Sequence, residues 1–359
     1  MKKLISLILI LVMVVSCMSF VGCDKETTQP EASTTEDDGY TPDSTLRILM
    51  VGNSFCYYYV EELYELLMEN PPEGIEAVEI YNLYYSGCKL DQHLTWWQNG
   101  IAKYQLYKTD STGRGAVEGY DEWKLDDALM MADWDYISLQ GGMTSGGYLD
   151  DKYINNQTMV PITAEPLLDL FHKKFPHAQL LWHNTWYSEV GRVLDSGYVY
   201  TEENGPLFDE KILAISEYMC NEFAAKKPYD LTMVNTGAAW AKARELNKTR
   251  DLLPYGGLCA RLGYAKFGDM RENSGDGYHD GDIGGAQLLN AYVWYMVITG
   301  RTDVSASTYA PVYKAKNSVG EYPLSADLIA MLKEAANSVF QSYRTGLQCS
   351  PVCALRRLA

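Results

Sequence analysis

Two short segments of the chain carry side chains that could act together in nucleophilic catalysis. Ser54 stands in the segment GNSF at 52–55, and Asp276 and His279 stand in GDGYH at 275–279. A serine hydroxyl is a weak nucleophile until a base takes its proton, and histidine suits that role near neutral pH. A carboxylate beside the histidine holds its tautomer and stabilises the imidazolium. These three residue types are those of a serine hydrolase.

Each segment also has an ordinary structural explanation. Asparagine and serine are common helix N-caps, so capping is the better explanation of GNSF when that segment is taken alone. A short Asp-Gly-Tyr-His segment can equally be a surface turn. The residue types by themselves leave both alternatives open.

A hydrolase of this kind needs a fold that brings distant segments together, and the chain alternates short apolar runs with helical patterns. Strands are predicted at 46–51, 77–84, 134–139, 178–182 and 231–234, and helices at 57–68, 164–174, 208–225 and 283–297. Short apolar strands between helices predict a central parallel sheet of about five strands covered on both faces, which is a three-layer α/β/α sandwich.

The predicted sheet places the candidate residues at one edge. In open α/β sheets the functional site lies beyond the carboxyl ends of the strands. Ser54 directly follows the first strand and opens a helix, so backbone N–H groups nearby can stabilise negative charge. His279 precedes the helix predicted at 283–297, whose packing would fix the loop.

The N-terminal region is predicted to be a lipoprotein signal peptide at 1–23. Lys2 and Lys3 precede an apolar run that is short for a membrane-spanning helix. Cys17 and Cys23 both resemble the bacterial lipobox cysteine, and Cys23 is favoured for lipidation because polar sequence starts directly after it. An uncleaved anchor helix is the alternative.

The rest of the chain divides by composition. Residues 24–45 are Thr, Ser, Glu, Asp, Pro and Gly with few apolar side chains, which predicts a disordered tether. Residues 46–343 are globular and contain no linker, which predicts one domain. Residues 344–359 are interpreted as a peripheral tail.

Composition narrows the function classes. The net charge of −17 argues against a nucleic-acid partner and disfavours a highly anionic substrate. No P-loop, GxGxxG, HExxH or EF-hand pattern is present, so the sequence gives no support for a cofactor or a metal. The chain has 28 Tyr and 8 Trp but only 8 Phe, and rings with polar edges suit sugar ligands.

Six segments of the sequence, in order, resemble the SGNH/GDSL hydrolase superfamily. The resemblance is to its bacterial branch that reads GNSF where other members read GDSL, a branch described mainly as a domain of unknown function. It covers nearly all of 46–343 and implies a flavodoxin-like fold and a serine esterase. The segments are RILMVGNSF (47–55), NLYYSGCKLDQH (82–93), WDYISLQG (134–141), WHNTW (182–186), NTGAAWAKAR (235–244) and DGYH (276–279).

The resemblance implies a role for each matching residue. Ser54 is the nucleophile, His279 the base and Asp276 its orienting partner. The oxyanion hole is implied to consist of the N–H groups of Ser54 and Gly87 with the side-chain amide of Gln140. Most of the superfamily has asparagine where this chain has Gln140, so that donor would act from a longer side chain.

Two further histidines and two cysteines are candidates near the site. His93 either contacts the substrate or braces the loop of Gly87, and bracing is favoured. His183 ends the fourth predicted strand and is expected at the pocket rim, as a substrate-binding residue. Cys56 and Cys88 could form a disulfide in an exported protein, although free thiols are favoured.

The sequence therefore predicts a secreted or lipid-anchored esterase, with no membrane contact beyond the anchor. Its substrate would be a small-molecule or glycan ester, such as an O-acetylated carbohydrate. A lipase or thioesterase-like acyl hydrolase uses the same machinery and is one alternative. A non-catalytic glycan-binding lipoprotein on the same fold is the other. Pocket shape sets the acyl group and the alcohol, and neither can be read from the sequence.

Overall fold

A computed structural model describes residues 43–119, 122–141, 159–190, 199–263, 273–314 and 321–346 of the chain. The predicted signal peptide, the predicted lipidation site Cys23 and nearly all of the predicted tether lie outside these ranges. Within the described ranges, every helix is too short or too polar to cross a membrane.

The first half of the domain begins with a buried apolar strand and continues with alternating elements. They are β1 (Thr45–Gly52), the 3-10 turn Ser54–Cys56, α1 (Val60–Glu69), β2 (Ala77–Tyr84), α2 (Leu90–Gln98), β3 (Gln105–Asp110), β4 (Gly113–Ala116), α3 (Leu125–Leu129) and β5 (Tyr136–Gln140).

The second half continues the alternation and ends in helices. Its elements are α4 (Met159–Lys174), β6 (Gln179–Asn184), α5 (Gly205–Glu217), a π-helix (Tyr218–Phe223), a 3-10 turn (Ala224–Lys226), β7 (Leu231–Asn235), α6 (Thr236–Arg250), a 3-10 turn (Gly257–Cys259), α7 (Ala286–Thr299), β8 (Val312–Lys314), β9 (Glu321–Pro323) and α8 (Ala326–Gly346).

The central sheet has the order β4-β3-β2-β1-β5-β6-β7. Strands β2, β1, β5, β6 and β7 are parallel to one another, and β3 and β4 add an antiparallel edge. The five parallel strands, numbered by chain order, run 2-1-3-4-5, which is the doubly wound flavodoxin-like arrangement. The predicted fold class is confirmed, and all five predicted strands are present. The edge pair was not predicted, so the sheet has seven strands rather than about five.

Both faces of the sheet are covered. Alternate side chains of β1 point to opposite faces, because the side-chain period of a strand is two. Leu49 and Val51 join the apolar cluster that includes α4 and α5. Ile48 and Met50 join the cluster that includes α1, α7 and α8. Helices therefore pack against both faces of the sheet, which gives the three layers that the sequence predicted.

Candidate active site

Ser54 opens a short 3-10 turn directly after β1 and is 5 % exposed. The residue that caps this turn is Asn53, whose Oδ1 accepts a hydrogen bond from the N–H of Phe55 at 3.0 Å. Capping is therefore a role of the asparagine in GNSF. The hydroxyl of the serine is not the capping group.

Gln140 holds the Asn53 side chain from the neighbouring strand. Its Nε2 donates to Asn53 Oδ1 at 2.8 Å, and its Oε1 accepts from the Asn53 N–H at 3.1 Å. A Cβ at Gly52 would lie 2.5 Å from Gln140 Oε1, so only glycine permits this approach. Gln140 is 2 % exposed, and its amide faces Asn53. In this geometry the Gln140 amide holds Asn53, the residue before Ser54. The oxyanion-hole role that the sequence implied for Gln140 stays a prediction.

Gly87 lies in the turn between β2 and α2, where two hydrogen bonds attach its neighbours to the end of β1. The N–H of Tyr85 donates to the Gly52 carbonyl at 3.3 Å, and Asn53 Nδ2 donates to the Cys88 carbonyl at 2.9 Å. Asn53 thus links the serine turn (Ser54–Cys56) to the turn that carries Gly87. The sequence pattern indicated only a capping role for Asn53, and its position before Ser54 was the one signal for this larger role.

Asp276 and His279 form the hydrogen-bonded pair that the sequence predicted. His279 Nδ1 lies 2.6 Å from Asp276 Oδ2, and Asp276 Oδ1 accepts from the N–H groups of Tyr278 and His279 at 3.1 and 3.0 Å. Burial alone would raise the pKa of Asp276, but these bonds outweigh it and lower the pKa to about 2. The carboxylate therefore stays ionised at neutral pH and can orient the imidazole.

The remaining ring nitrogen of His279 is enclosed. Nε2 is buried and has no hydrogen-bond partner among the described residues. No hydrogen bond joins Nε2 to Ser54, so the expected bond between the two is not formed in this structure. A buried polar atom without a partner is costly and calls for an explanation. With Nδ1 bonded to the carboxylate, Nε2 is the atom available to exchange a proton.

Ring contacts bring the histidine loop (residues 273–281) against the segment that follows Ser54. The ring centroid of His279 is 5.6 Å from that of Phe55 and 5.2 Å from that of Tyr58. Phe55 also packs against Trp186, with centroids 4.8 Å apart. Segments separated by more than 200 residues in the sequence thus meet at the carboxyl edge of the sheet.

The two other predicted histidines lie inside the fold. His93 is 1 % exposed, and its Nδ1 is 2.8 Å from Tyr104 Oη. His183 is fully buried, with Nε2 3.1 Å from Thr236 Oγ1. Burial lowers the pKa of each to about 3, which keeps both rings neutral. Their positions favour bracing for His93 and a packing role for His183, which lies in the core and not at a pocket rim.

Cys56 and Cys88 are free and buried, as the favoured alternative predicted. Cys56 Sγ donates to the Asn53 carbonyl at 3.2 Å, and burial raises the pKa of this thiol to about 12. It is therefore a poor nucleophile at neutral pH. The described ranges contain no group of three or more His, Cys, Asp or Glu side chains placed to hold a metal ion.

One part of the chain matches a known protein family. Residues 47–200 match the family DUF4886, a domain of unknown function. The match confirms the resemblance to a branch that is described mainly as a domain of unknown function. It includes Ser54, Gly87 and Gln140, while Asp276 and His279 lie beyond it. The sequence has no match among curated proteins.

A solved DUF4886 protein from Bacteroides uniformis has the same fold as this chain. The two are 20 % identical with a TM-score of 0.56, over 83 % of this chain and 95 % of that one. Two more distant structures are a candidate GDSL-like lipase from Parabacteroides merdae and a family 3 carbohydrate esterase from Clostridium thermocellum. The lipase is 19 % identical with a TM-score of 0.42, over 72 % of this chain and 100 % of that one. The esterase is 16 % identical with a TM-score of 0.36, over 70 % of this chain and 94 % of that one.

Proposed function

We propose that the protein is a serine esterase with Ser54 as nucleophile, His279 as general base and Asp276 as the orienting carboxylate. The observation that carries the proposal is the 2.6 Å bond between Asp276 and His279, on a loop whose histidine ring packs against the residue after Ser54. A surface turn would not need an imidazole that is oriented by a partly buried carboxylate and packed against the residue after Ser54. The pattern is that of a triad recognised by roles.

The reaction follows from these roles. Ser54 Oγ attacks the ester carbonyl carbon while His279 Nε2 takes its proton, and the N–H groups of Ser54 and Gly87 stabilise the oxyanion. Collapse of the tetrahedral intermediate breaks the ester C–O bond, and the imidazolium returns its proton to the leaving alcohol. Water then attacks the acyl-serine with the same base, which releases the acid and restores the hydroxyl.

The surroundings of the site support a carbohydrate ester as the substrate. Four half-buried tyrosines cluster beside it: Tyr57 packs against Tyr84 and Tyr107 with centroids 4.6 and 5.0 Å apart, and Tyr58 packs against His279. Tyrosines offer apolar faces to sugar rings and hydroxyls to their edges. With the predicted lipid anchor at Cys23, such an enzyme would act on acylated glycans at the outer face of the cell membrane.

Hydrolysis by the purified protein tests the proposal. We expect release of acetate from a short aryl acetate and from O-acetylated oligosaccharides, and loss of both activities in Ser54→Ala. Ser138→Ala is the matched control, because Ser138 is also a buried serine and lies within β5. Activity that rises with acyl chain length would favour the lipase alternative. Glycan binding without any turnover would favour the non-catalytic alternative.

A further inference from the structure

Two motifs remain without a role in the proposed chemistry. WHNTW at 182–186 spans the end of β6, and NTGAAWAKAR at 235–244 spans the end of β7 and the start of α6. Each contributes one tryptophan, Trp186 and Trp240, to a parallel stack with centroids 4.4 Å apart and planes 7° apart. Both indoles are fully buried. The motifs therefore meet in a rigid aromatic pair at the carboxyl edge of the sheet.

The first indole holds the histidine loop directly. Trp186 Nε1 donates to the carbonyl of Tyr278, the residue before His279, at 2.9 Å. The same indole packs against Phe55, which follows Ser54. Trp186 thus contacts the residue after Ser54 and the residue before His279.

The second indole holds the other side of His279 through one intermediate. Trp240 Nε1 donates to Asn290 Oδ1 at 2.8 Å, and Asn290 Nδ2 donates to Asp280 Oδ2 at 3.2 Å. Asp280 directly follows His279 and is fully buried. The carbonyl before the histidine and the carboxyl after it are therefore held by the two stacked tryptophans.

A third contact comes from the chain just after WHNTW. The N–H of Glu189 donates to the Gly277 carbonyl at 2.7 Å. Arg244, the last residue of NTGAAWAKAR, donates through Nη2 to Glu189 Oε1 at 3.1 Å and to the Tyr187 carbonyl at 3.0 Å. The second motif thereby fixes the segment that extends from the first.

We infer that the two motifs form a clamp whose function is to position His279, with Trp186 and Trp240 as its positioning residues. The inference rests on the proposed function. Residues 273–281 belong to no helix or strand, so regular backbone pairing does not set the orientation of the imidazole. A catalytic base must be held in a narrow geometry, and small displacements cost large factors in rate. The two tryptophans lie outside the loop and hold it in that geometry.

Trp186→Phe tests the clamp because it removes the indole N–H and keeps a buried aromatic ring. Trp134→Phe is the matched control: Trp134 is also fully buried, and its Nε1 donates to the Leu129 carbonyl at 2.9 Å, near the amino end of β5. We expect kcat to fall about 10- to 100-fold in Trp186→Phe with KM nearly unchanged, and to stay within about twofold of wild type in Trp134→Phe. Equal kcat in the two variants at similar melting temperatures would overturn the clamp.

A second readout does not require activity. The short bond between His279 Nδ1–H and Asp276 should give a downfield proton resonance, which its loss in His279→Ala would assign. We expect this resonance to broaden or vanish in Trp186→Phe and to persist in Trp134→Phe. If Trp186→Phe fails to fold, Trp240→Phe takes its place with the same expectation.

The two readouts separate the clamp from the esterase proposal. A wild-type protein that hydrolyses no ester, yet shows the expected loss of the resonance in Trp186→Phe, would contradict the esterase and support the clamp. An active wild type whose resonance and kcat both survive in Trp186→Phe would contradict the clamp alone.

Discussion

The serine turn and the histidine loop are held in place by different means. The register of the sheet sets the serine turn: β1 pairs with β5 so that Val51 lies beside Leu139, and the next residues are Gly52 and Gln140. The histidine loop lies outside the sheet. The backbone of Gly281 donates to the Leu258 carbonyl at 3.0 Å at the end of the loop, and side chains from α7 and from the end of β6 hold its middle.

The geometry of the site therefore depends on two different kinds of contact. Backbone hydrogen bonds between strands place the residues before Ser54, the proposed nucleophile, and such ladders tolerate most side-chain changes. A few buried polar side chains hold the loop of His279, the proposed base, so single substitutions there should cost more in orientation. Variants on the two sides of the site can test this asymmetry.

The largest effect on kcat is expected from substitution of Ser54 or His279. Ser54→Ala and His279→Ala should each lower kcat by roughly 10⁴- to 10⁶-fold, because each removes one member of a catalytic unit that works only as a whole. The double variant should be little worse than either single one. Steady-state hydrolysis of an aryl acetate measures all three, and additive losses would show that the two residues do not work as a unit.

A smaller loss is expected from Asp276→Asn, which keeps the shape of the loop. The amide can present a donor to His279 Nδ1 and favour the wrong tautomer, so kcat should fall roughly 10²- to 10⁴-fold. The pKa of Asp276 is lowered in the folded state, so its contribution to stability is present above about pH 4 and disappears as the pH falls towards 2. Urea unfolding should therefore show wild type and variant converging in acid. A constant stability difference down to pH 2 would contradict this coupling.

On the serine side, Gln140→Ala should cost less than Asp276→Asn. Removing the amide takes away two hydrogen bonds to Asn53, but Phe55 and Cys88 still bond its side chain and the sheet still holds the backbone. A loss of about 10-fold in kcat is therefore expected for a positioning role. A direct oxyanion donor would cost about 100- to 1,000-fold. Gln179→Ala is the control, since it removes a partly buried glutamine from the opposite end of the adjacent strand β6.

The smallest effect concerns stability alone and tests whether buried His93 is held neutral. Burial lowers the pKa of His93 to about 3 in the folded protein, below its unfolded value, so folding loses stability as the pH drops below about 6.5. The loss should approach about 1.4 kcal/mol per pH unit for this residue. His93→Gln should remove that part of the slope in urea unfolding between pH 7 and pH 5. An unchanged slope would mean that His93 is not held neutral.

The sequence was sufficient for the parallel core of the fold and for the triad candidates. Apolar runs ending at glycine or polar residues located β1, β2 and β5 to within about two residues, because fully buried strands need such runs. The pair β3 and β4 was missed, since its exposed segment around Asp110 and Arg114 carries no apolar run. Edge strands need less burial and leave a weaker pattern.

The contacts that orient the site could not be predicted from spacing. Asn53 and Gln140 are 87 positions apart, and Trp186 and Tyr278 are 92 apart. The two tryptophan motifs could be recognised in the sequence. Only the fold shows that their rings stack and that their N–H groups hold the histidine loop. Residue types predict chemistry, whereas partners across the fold depend on packing.

Labelling with a fluorophosphonate, followed by identification of the modified residue, tests whether Ser54 is an activated nucleophile. The reagent reacts with an activated serine whatever the natural substrate is. We expect a single adduct on Ser54 in the wild-type protein, much slower labelling in His279→Ala, and none in Ser54→Ala. An adduct on another residue, or no adduct on a folded wild-type protein, would contradict the account.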